Sequence, residues 1–412
     1  MSSDSSLTHS APSHNPSPGR SYIRWYVYGA IFLAVTLLPL TAPRQFSLPL
    51  FPGYAETVFK VLFATIPLFA VRAVVRLAPS KGRELRVITI VCLVAAGVCE
   101  IIHFWGTDKG HYFAGDVRWQ DNTAWQLFMH KGILLLDPAY LPHSYRFLPD
   151  CVVAVVNRLT GDFVFGRVFY RFTANALLFA VLYCYARLYL TRFSSALVIV
   201  LTTAIYPVTI LTYAGQFVDP ASHLSFVLCL YLLASGSEAG ILPVLVIGVL
   251  AKESVVVMAV CRLFYGPNRL KSAALAVLYL GIGLAVCVLA RAAVNTGQFE
   301  YNRVSGVELG HAINNLKGYA QWGPLYFFTI GISMIGASLG WKYMDRPFKL
   351  TAIFVAVSLV FSSLMFSWLA EVRNLMPALF PLIISFMKYV EVEMRLDRLE
   401  LGAKIQTVSS PQ

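Results

Sequence analysis

At 412 residues, 57% of them hydrophobic and 13% charged, with a mean hydropathy of +0.65, the chain carries about half the charge of an ordinary soluble domain. Its apolar runs are continuous rather than alternating, which excludes a β-barrel and predicts an all-α polytopic transmembrane helical bundle of about 10–13 spans. The net charge of +12 does not point to nucleic acid, because the basic residues sit in short loops between spans, the ordinary positive-inside pattern.

Residues 1–20 are rich in Ser, Pro and His and hold no apolar stretch. They read as a disordered cytoplasmic tail, since a signal peptide would need an h-region. The transmembrane domain is expected over 21–392, with 393–412 as a second cytoplasmic tail. The first span, 23–42, is too long for an h-region and has no small-residue cleavage site, so it reads as a retained signal anchor. Further spans are expected at 57–79, 87–106, 168–190, 195–213, 222–236, 240–251, 253–266, 272–293, 321–342, 350–369 and 375–391.

Between the third and fourth spans lies a large loop, 107–167, with Trp119, Trp125, Tyr112, Tyr140 and Tyr145. Trp125, Phe128, Met129 and Gly132 have helical spacing after Asp121–Asn122 and suggest a helix in the headgroup zone. A second piece from Pro149 to Leu159 is expected to lie on or dip into the membrane. The seven cysteines are scattered without a CxxC or His/Cys cluster, so they read as apolar fillers rather than disulfide or zinc ligands.

Spans 240–251 and 253–266 are each too short to cross a hydrocarbon core of about 30 Å at about 1.5 Å per residue. Fused into one span, they would put the basic Pro267–Lys271 loop on the wrong side. Split at Lys252–Glu253, they leave Lys81, Arg83, Arg86, Arg187, Arg192, Arg269, Lys271, Lys342, Arg346, Lys349, Arg395 and Arg398 on one side, the cytoplasmic one. The opposite short loops keep little more than Arg44 and Arg373. Loop 107–167, the turn Gln216–His223, the Lys252–Glu253 break, a second outer loop at 294–320 and Glu371–Arg373 are then all extracytoplasmic.

Several polar groups on that face could carry chemistry. Charges at bilayer depth cost roughly 2.5–3.5 kcal/mol each on insertion scales, so the Lys252–Glu253 pair needs a partner or a task. Lys252 could face a lipid phosphate while Glu253 holds it in place; the plainer reading is a self-neutralised pair capping two half-helices. Asp116 and Asp121 could deprotonate an acceptor hydroxyl, although Asp121 could equally cap the following helix. Arg146 and Arg373 present the planar fork that suits phosphate, with a salt bridge to Glu371 or Glu253 as the alternative for Arg373. Asp219, before Pro220, reads as an N-cap, and His223 as a surface histidine or a proton shuttle. Glu100 and His103, one turn apart, suggest an internal hydrogen-bonded pair. Asp116 and Asp121 do not form a DxD motif, so no cofactor is named by the residues; Mg²⁺ or Mn²⁺ would enter only through acids brought together in space.

The layout resembles the GT-C superfamily of polytopic glycosyltransferases, which use sugars carried on polyprenyl phosphates. Three features carry the resemblance over about residues 87–391. An acidic outer loop runs from Asp116 or Asp121 through Trp125 to Gly132; an apolar helix breaks at Leu250–Glu253; and a late Glu371-x-Arg373-x-x-x-Pro377 leads into a final span. The resemblance implies that a first-loop acid is the catalytic base, that Lys252, Glu253, Arg146 and Arg373 hold the donor phosphate with Asp219, His223 and Glu371 in support, and that transfer is inverting. More spans precede the acidic loop than the family often has, which leaves the choice between Asp116 and Asp121 open. No large soluble C-terminal domain follows, which argues against an oligosaccharyltransferase-type subunit. The expectation is a glycosyltransferase acting on the extracytoplasmic face with a polyprenyl-phosphate-linked sugar as donor and a glycan, lipid or protein acceptor. A transporter or flippase of polyprenyl-linked or anionic lipid, and a non-catalytic scaffold, are the alternatives. The absence of an Asn-x-Ser/Thr sequon with x other than Pro fits a bacterial inner membrane with the N-terminus in the cytoplasm.

Overall fold

The computed structural model describes residues 54–78, 82–103, 146–211, 218–293, 309–367, 369 and 371–409. Among them there is no strand, and seven helices are long and apolar enough to cross a membrane. The all-α polytopic bundle expected from the continuous apolar runs is therefore the architecture found. The expected span at 23–42, the Trp125–Gly132 helix and residues 294–308 lie outside the described residues.

In chain order the helices are α1 (Tyr54–Val75), α2 (Arg83–His103), α3 (Leu148–Thr160), α4 (Phe163–Ala186), α5 (Arg192–Leu211), α6 (Asp219–Ala234) and α7 (Glu238–Ala251). After a short return segment come α8 (Arg269–Ala293), α9 (Leu309–Lys317), α10 (Tyr319–Tyr326), α11 (Ile332–Gly340), α12 (Arg346–Phe366) and α13 (Met376–Ser409). Four helices open on arginine: Arg83, Arg192, Arg269 and Arg346. Hydropathy reads a charged first turn as loop, so the expected spans begin three or four residues late at these ends. Long basic side chains keep their charge in the headgroup zone while the backbone below them is already helical. The expected C-terminal tail is likewise helical, as α13 runs on to Ser409.

Helix starts are sealed by side chains. Asp162 accepts from the Phe165 amide at 2.9 Å and opens α4; Asp345 does the same for Phe348 at 2.9 Å and opens α12. At α5 the Thr191 hydroxyl accepts from the Ser194 amide at 3.5 Å, and Glu391 of α13 accepts from the Thr191 amide at 2.7 Å.

Two helices form the axis of the bundle. Burial reaches 72% of the apolar window within Phe165–Ala186 of α4 and 67% within Val372–Arg395, against 17% for α1 and 22% for α8. The peripheral helices turn Val61, Phe69, Val277 and Leu289 outward, a belt that only acyl chains could cover without aggregation. Around the axis pack Phe179, Tyr183, Tyr185, Phe226 and Phe348. The seven cysteines are free, six of them buried, as apolar fillers would be.

Small residues set the closest crossing. A methyl added to Gly340 would overlap the Ser385 carbonyl of α13, and one added to Gly336 would press into Phe386. Ser385 donates to the Ala337 carbonyl at 2.9 Å across the same contact. A π-turn at Phe327–Gly331 leads from α10 into α11, and Thr329 and Ser333 donate to the carbonyls four residues back.

The hairpin of α6 and α7 positions the site. α6 runs away from Asp219 and α7 returns, ending at Ala251. The helix breaks at Lys252, whose backbone is extended at φ −161°, ψ 125°, as the charge pattern required. A return segment of Glu253–Val256 (3-10), Val257–Cys261 (α) and Arg262–Phe264 (3-10) then doubles back. Arg262 pairs with Glu238 at the far end of α7 and donates to Ser272 Oγ at 3.0 Å. Gly248 makes the nesting possible: a Cβ there would collide with Ser225 and Val255.

Ionic groups consequently sort to the two ends of the bundle. Arg192–Glu84, Arg262–Glu238, Lys271–Glu238 and Arg395–Glu391 mark one end. Lys60–Asp162, Glu100–Arg171 and the cluster around Asp219 mark the other.

Candidate functional site

Four chain segments far apart in sequence meet at the second end. Asp219 is the first residue of α6, one past the N-cap position, which Val218 occupies. Its carboxylate bridges instead: Oδ1 takes a hydrogen bond from Lys252 Nζ at 3.1 Å and Oδ2 one from Arg373 Nη1 at 3.2 Å. The N-cap expected for Asp219 is thereby replaced by an ion triad. Lys252 also donates to Asn374 Oδ1 at 2.7 Å, and Arg373 reaches Glu371 Oε2 at 2.8 Å. Asn374 closes the ring by donating to Glu371 Oε2 at 3.1 Å.

Lys252 and Glu253 do not neutralise one another, and Glu253 does not hold Lys252. Extended backbone sends successive side chains to opposite sides, so Lys252 turns toward Asp219 while Glu253 meets Arg146. That pair is a fork, with Arg146 Nε donating to Glu253 Oε2 at 2.8 Å and Nη2 to Oε1. Exposure is graded across the cluster. Arg373 and Asp219 side chains are 1% exposed, Lys252 10%, Arg146 11% and Glu253 31%. Arg146 and Glu253 therefore form its accessible lip and the Asp219–Arg373 pair its floor.

His223 is not the surface histidine expected, being buried one turn along α6 from Asp219. Its Nε2 lies 3.0 Å from the Arg373 carbonyl and must carry the proton, so Nδ1 accepts from the Tyr206 hydroxyl at 2.9 Å. That commits the single Tyr206 proton. The same hydroxyl lies 3.4 Å from Asn175 Oδ1. The histidine thus fixes the backbone of the 3-10 turn Val372–Leu375 that carries Arg373.

A second ionic pair adjoins this cluster. The Glu100 carboxylate accepts from Arg171 Nε of α4 at 3.2 Å, and the His103 side chain lies outside the described residues. Next to Arg171, the Tyr170 hydroxyl accepts from the Ala221 amide of α6 at 3.3 Å. The segment expected to lie on or dip into the membrane is α3, packed on α4, which delivers buried Asp150 to the same end. Arg171, Tyr206, Asn175, Asn374 and Asp150 carried no candidate role in the sequence reading. Asn374 had the clearest signal available, as it directly follows Arg373.

Depth follows from helix length. The 14 residues of α7 rise about 21 Å from Glu238 to the break, short of a hydrocarbon core of about 30 Å. With Glu238 at one interface, Lys252 and Asp219 would stop short of the other, a depth where extended backbone and paired charges persist only inside protein or beside a wet cavity.

Of the expected site residues, Lys252, Glu253, Arg146, Arg373, Asp219, His223 and Glu371 come together. Asp116 and Asp121 lie outside the described residues. Among the described residues no group of three His, Cys, Asp or Glu side chains could hold a metal ion. The arrangement can recognise an anion through Arg146 at its lip, with Lys252 and Arg373 behind. No family model, curated protein or solved structure matches the chain.

Proposed function

We propose that the chain is an integral-membrane glycosyltransferase that takes a sugar from a polyprenyl-phosphate donor and passes it to an acceptor on the extracytoplasmic side. One observation carries the reading. Two of the three segments on which the GT-C resemblance rests, Leu250–Glu253 and Glu371–Pro377, are 122 residues apart at Lys252 and Asn374, yet those side chains touch at 2.7 Å. Lys252 and Arg373 also share one carboxylate. Sidedness is supported by the opposite end carrying the basic residues of the short loops.

In this reading the donor phosphate approaches through the Arg146–Glu253 lip. Its charge competes with Glu253 for the Arg146 fork, and Lys252 and Arg373 supply the positive field beneath. The acceptor hydroxyl attacks the anomeric carbon as the bond from that carbon to the phosphate oxygen breaks. The polyprenyl phosphate leaves with the electron pair, its charge met by the cations, and the acceptor proton passes to a carboxylate, Asp116 or Asp121. One displacement inverts the anomeric centre.

The test is transfer by purified protein in lipid from a panel of radiolabelled polyprenyl-phosphate sugars to membrane acceptors, comparing the parent with Asp116→Asn, Asp121→Asn and Arg146→Ala. Loss of transfer in one aspartate variant, with donor still retained, supports the reading. Donor retention and vectorial movement without transfer by the parent would replace it with a flippase, and neither retention nor transfer with a scaffold.

A further inference from the structure

The end of the bundle away from this cluster holds a second site, independent of the proposed transferase. A cleft of about 630 Å³ opens between the α4–α5 turn and α13, within the size range of small-ligand sites. Arg187, Arg192, Lys388 and Arg395 line it, against Glu391 as its carboxylate.

These cations divide into two kinds. Lys388 Nζ donates to the Tyr189 carbonyl at 2.9 Å, and Arg187 donates to that of Leu190. With Glu391 on the Thr191 amide, they hold the turn in shape. Arg192 and Arg395 are different. Each is 62% exposed and meets one carboxylate, Glu84 at 3.1 Å and Glu391 at 2.8 Å. A guanidinium has five N–H donors, so both keep donors facing the cleft. Beside them Phe193 and Leu188 line the cleft and are exposed, at 68% and 44%.

A cationic cleft rimmed by outward-facing apolar side chains, at the end of membrane-spanning helices, suits an amphiphile. We infer that it seats the phosphate of an anionic phospholipid, gripped by Arg192 and Arg395, with the acyl chains lying along Phe193 and Leu188. The apolar rim favours a lipid over free phosphate, which would have no use for it.

The test uses full-length protein in detergent micelles and native mass spectrometry with phosphatidylglycerol or phosphatidylcholine of identical chains. The parent should retain phosphatidylglycerol in preference. Two surface cations facing anionic lipid are worth roughly 30-fold in affinity, so Arg192→Ala/Arg395→Ala should lose about that preference. Both side chains are exposed, and a circular-dichroism melt of the variant should match the parent. Lys342→Ala/Lys349→Ala, charges at the same end outside the cleft, should keep the preference. Equal retention of the two lipids by the parent, an unchanged preference in the arginine variant, or an equal loss in the lysine variant would overturn the site. Displacement of phosphatidylglycerol by millimolar inorganic phosphate would overturn the lipid assignment in favour of a free-phosphate site.

Discussion

Asp219 has two carboxylate oxygens and gives one to each of two cations, at 3.1 and 3.2 Å. Removing its charge takes the shared carboxylate from both cations, leaving Arg373 to Glu371 and Lys252 to the neutral Asn374. Breaking a buried ion pair from one side costs roughly 3–5 kcal/mol, whereas replacing both partners by apolar groups is often neutral. Asp219→Asn should therefore lower the unfolding free energy in mixed micelles by about that range. Asp219→Asn combined with Lys252→Met should recover part of the loss, because the lysine charge that depended on this carboxylate is gone. Strict additivity of the two substitutions would mean that the lysine does not depend on this carboxylate. Nothing local announces the triad. Asp219–Pro220 reads as an N-cap from its neighbours alone, and the partners that override the cap lie 33 and 154 residues away. Lys252–Glu253, by contrast, was conspicuous, because two charges inside an apolar run carry a cost that sequence alone reveals. What sequence could not assign was the partner of each, since that depends on the extended backbone at Lys252.

At the scale of elements, the α11–α13 crossing makes the sharpest demand. Gly340 lies against the Ser385 backbone, where no side chain can give way. Gly340→Ala should force the helices apart and destabilise the protein by roughly 1–3 kcal/mol, the usual range for overpacking. Gly281→Ala is the matched control within α8, because a methyl there meets nothing within 4 Å. Its helix propensity favours alanine, so a melt in micelles should rise or stay level. Equal losses in both variants would show general sensitivity of helical glycines rather than a close crossing. The apolar core of each helix was legible from hydropathy, and 240–251 coincides with α7 within two residues. The arginine-led first turns of α2, α5, α8 and α12 were not, because a charge at the membrane surface and a charge in a loop look alike in sequence.

Over the whole molecule, the break at Lys252 decides which way round every later helix runs. Arg262 returning to Glu238 places α8, α12 and α13 so that Arg269, Arg346 and Arg395 share the end occupied by Arg192. The sequence reached the same grouping by counting charges, which is why the fold was legible further than the site. Sidedness itself then becomes a direct measurement. Among the native cysteines Cys287 alone is not buried, so the background for a membrane-impermeant maleimide is low once it is changed to serine. Lys271→Cys and Lys60→Cys replace partly exposed side chains at opposite ends, 64% and 36% exposed. In sealed vesicles with the cytoplasmic face inward, Lys60→Cys should label promptly and Lys271→Cys only after permeabilisation. Inverted vesicles should give the reverse. Labelling of both positions from one face would mean that the segments between them do not reverse as the Lys252 turn requires. Labelling opposite to the expected faces would keep the bundle but move the Asp219 cluster to the cytoplasm, where the proposed donor site would have to be abandoned.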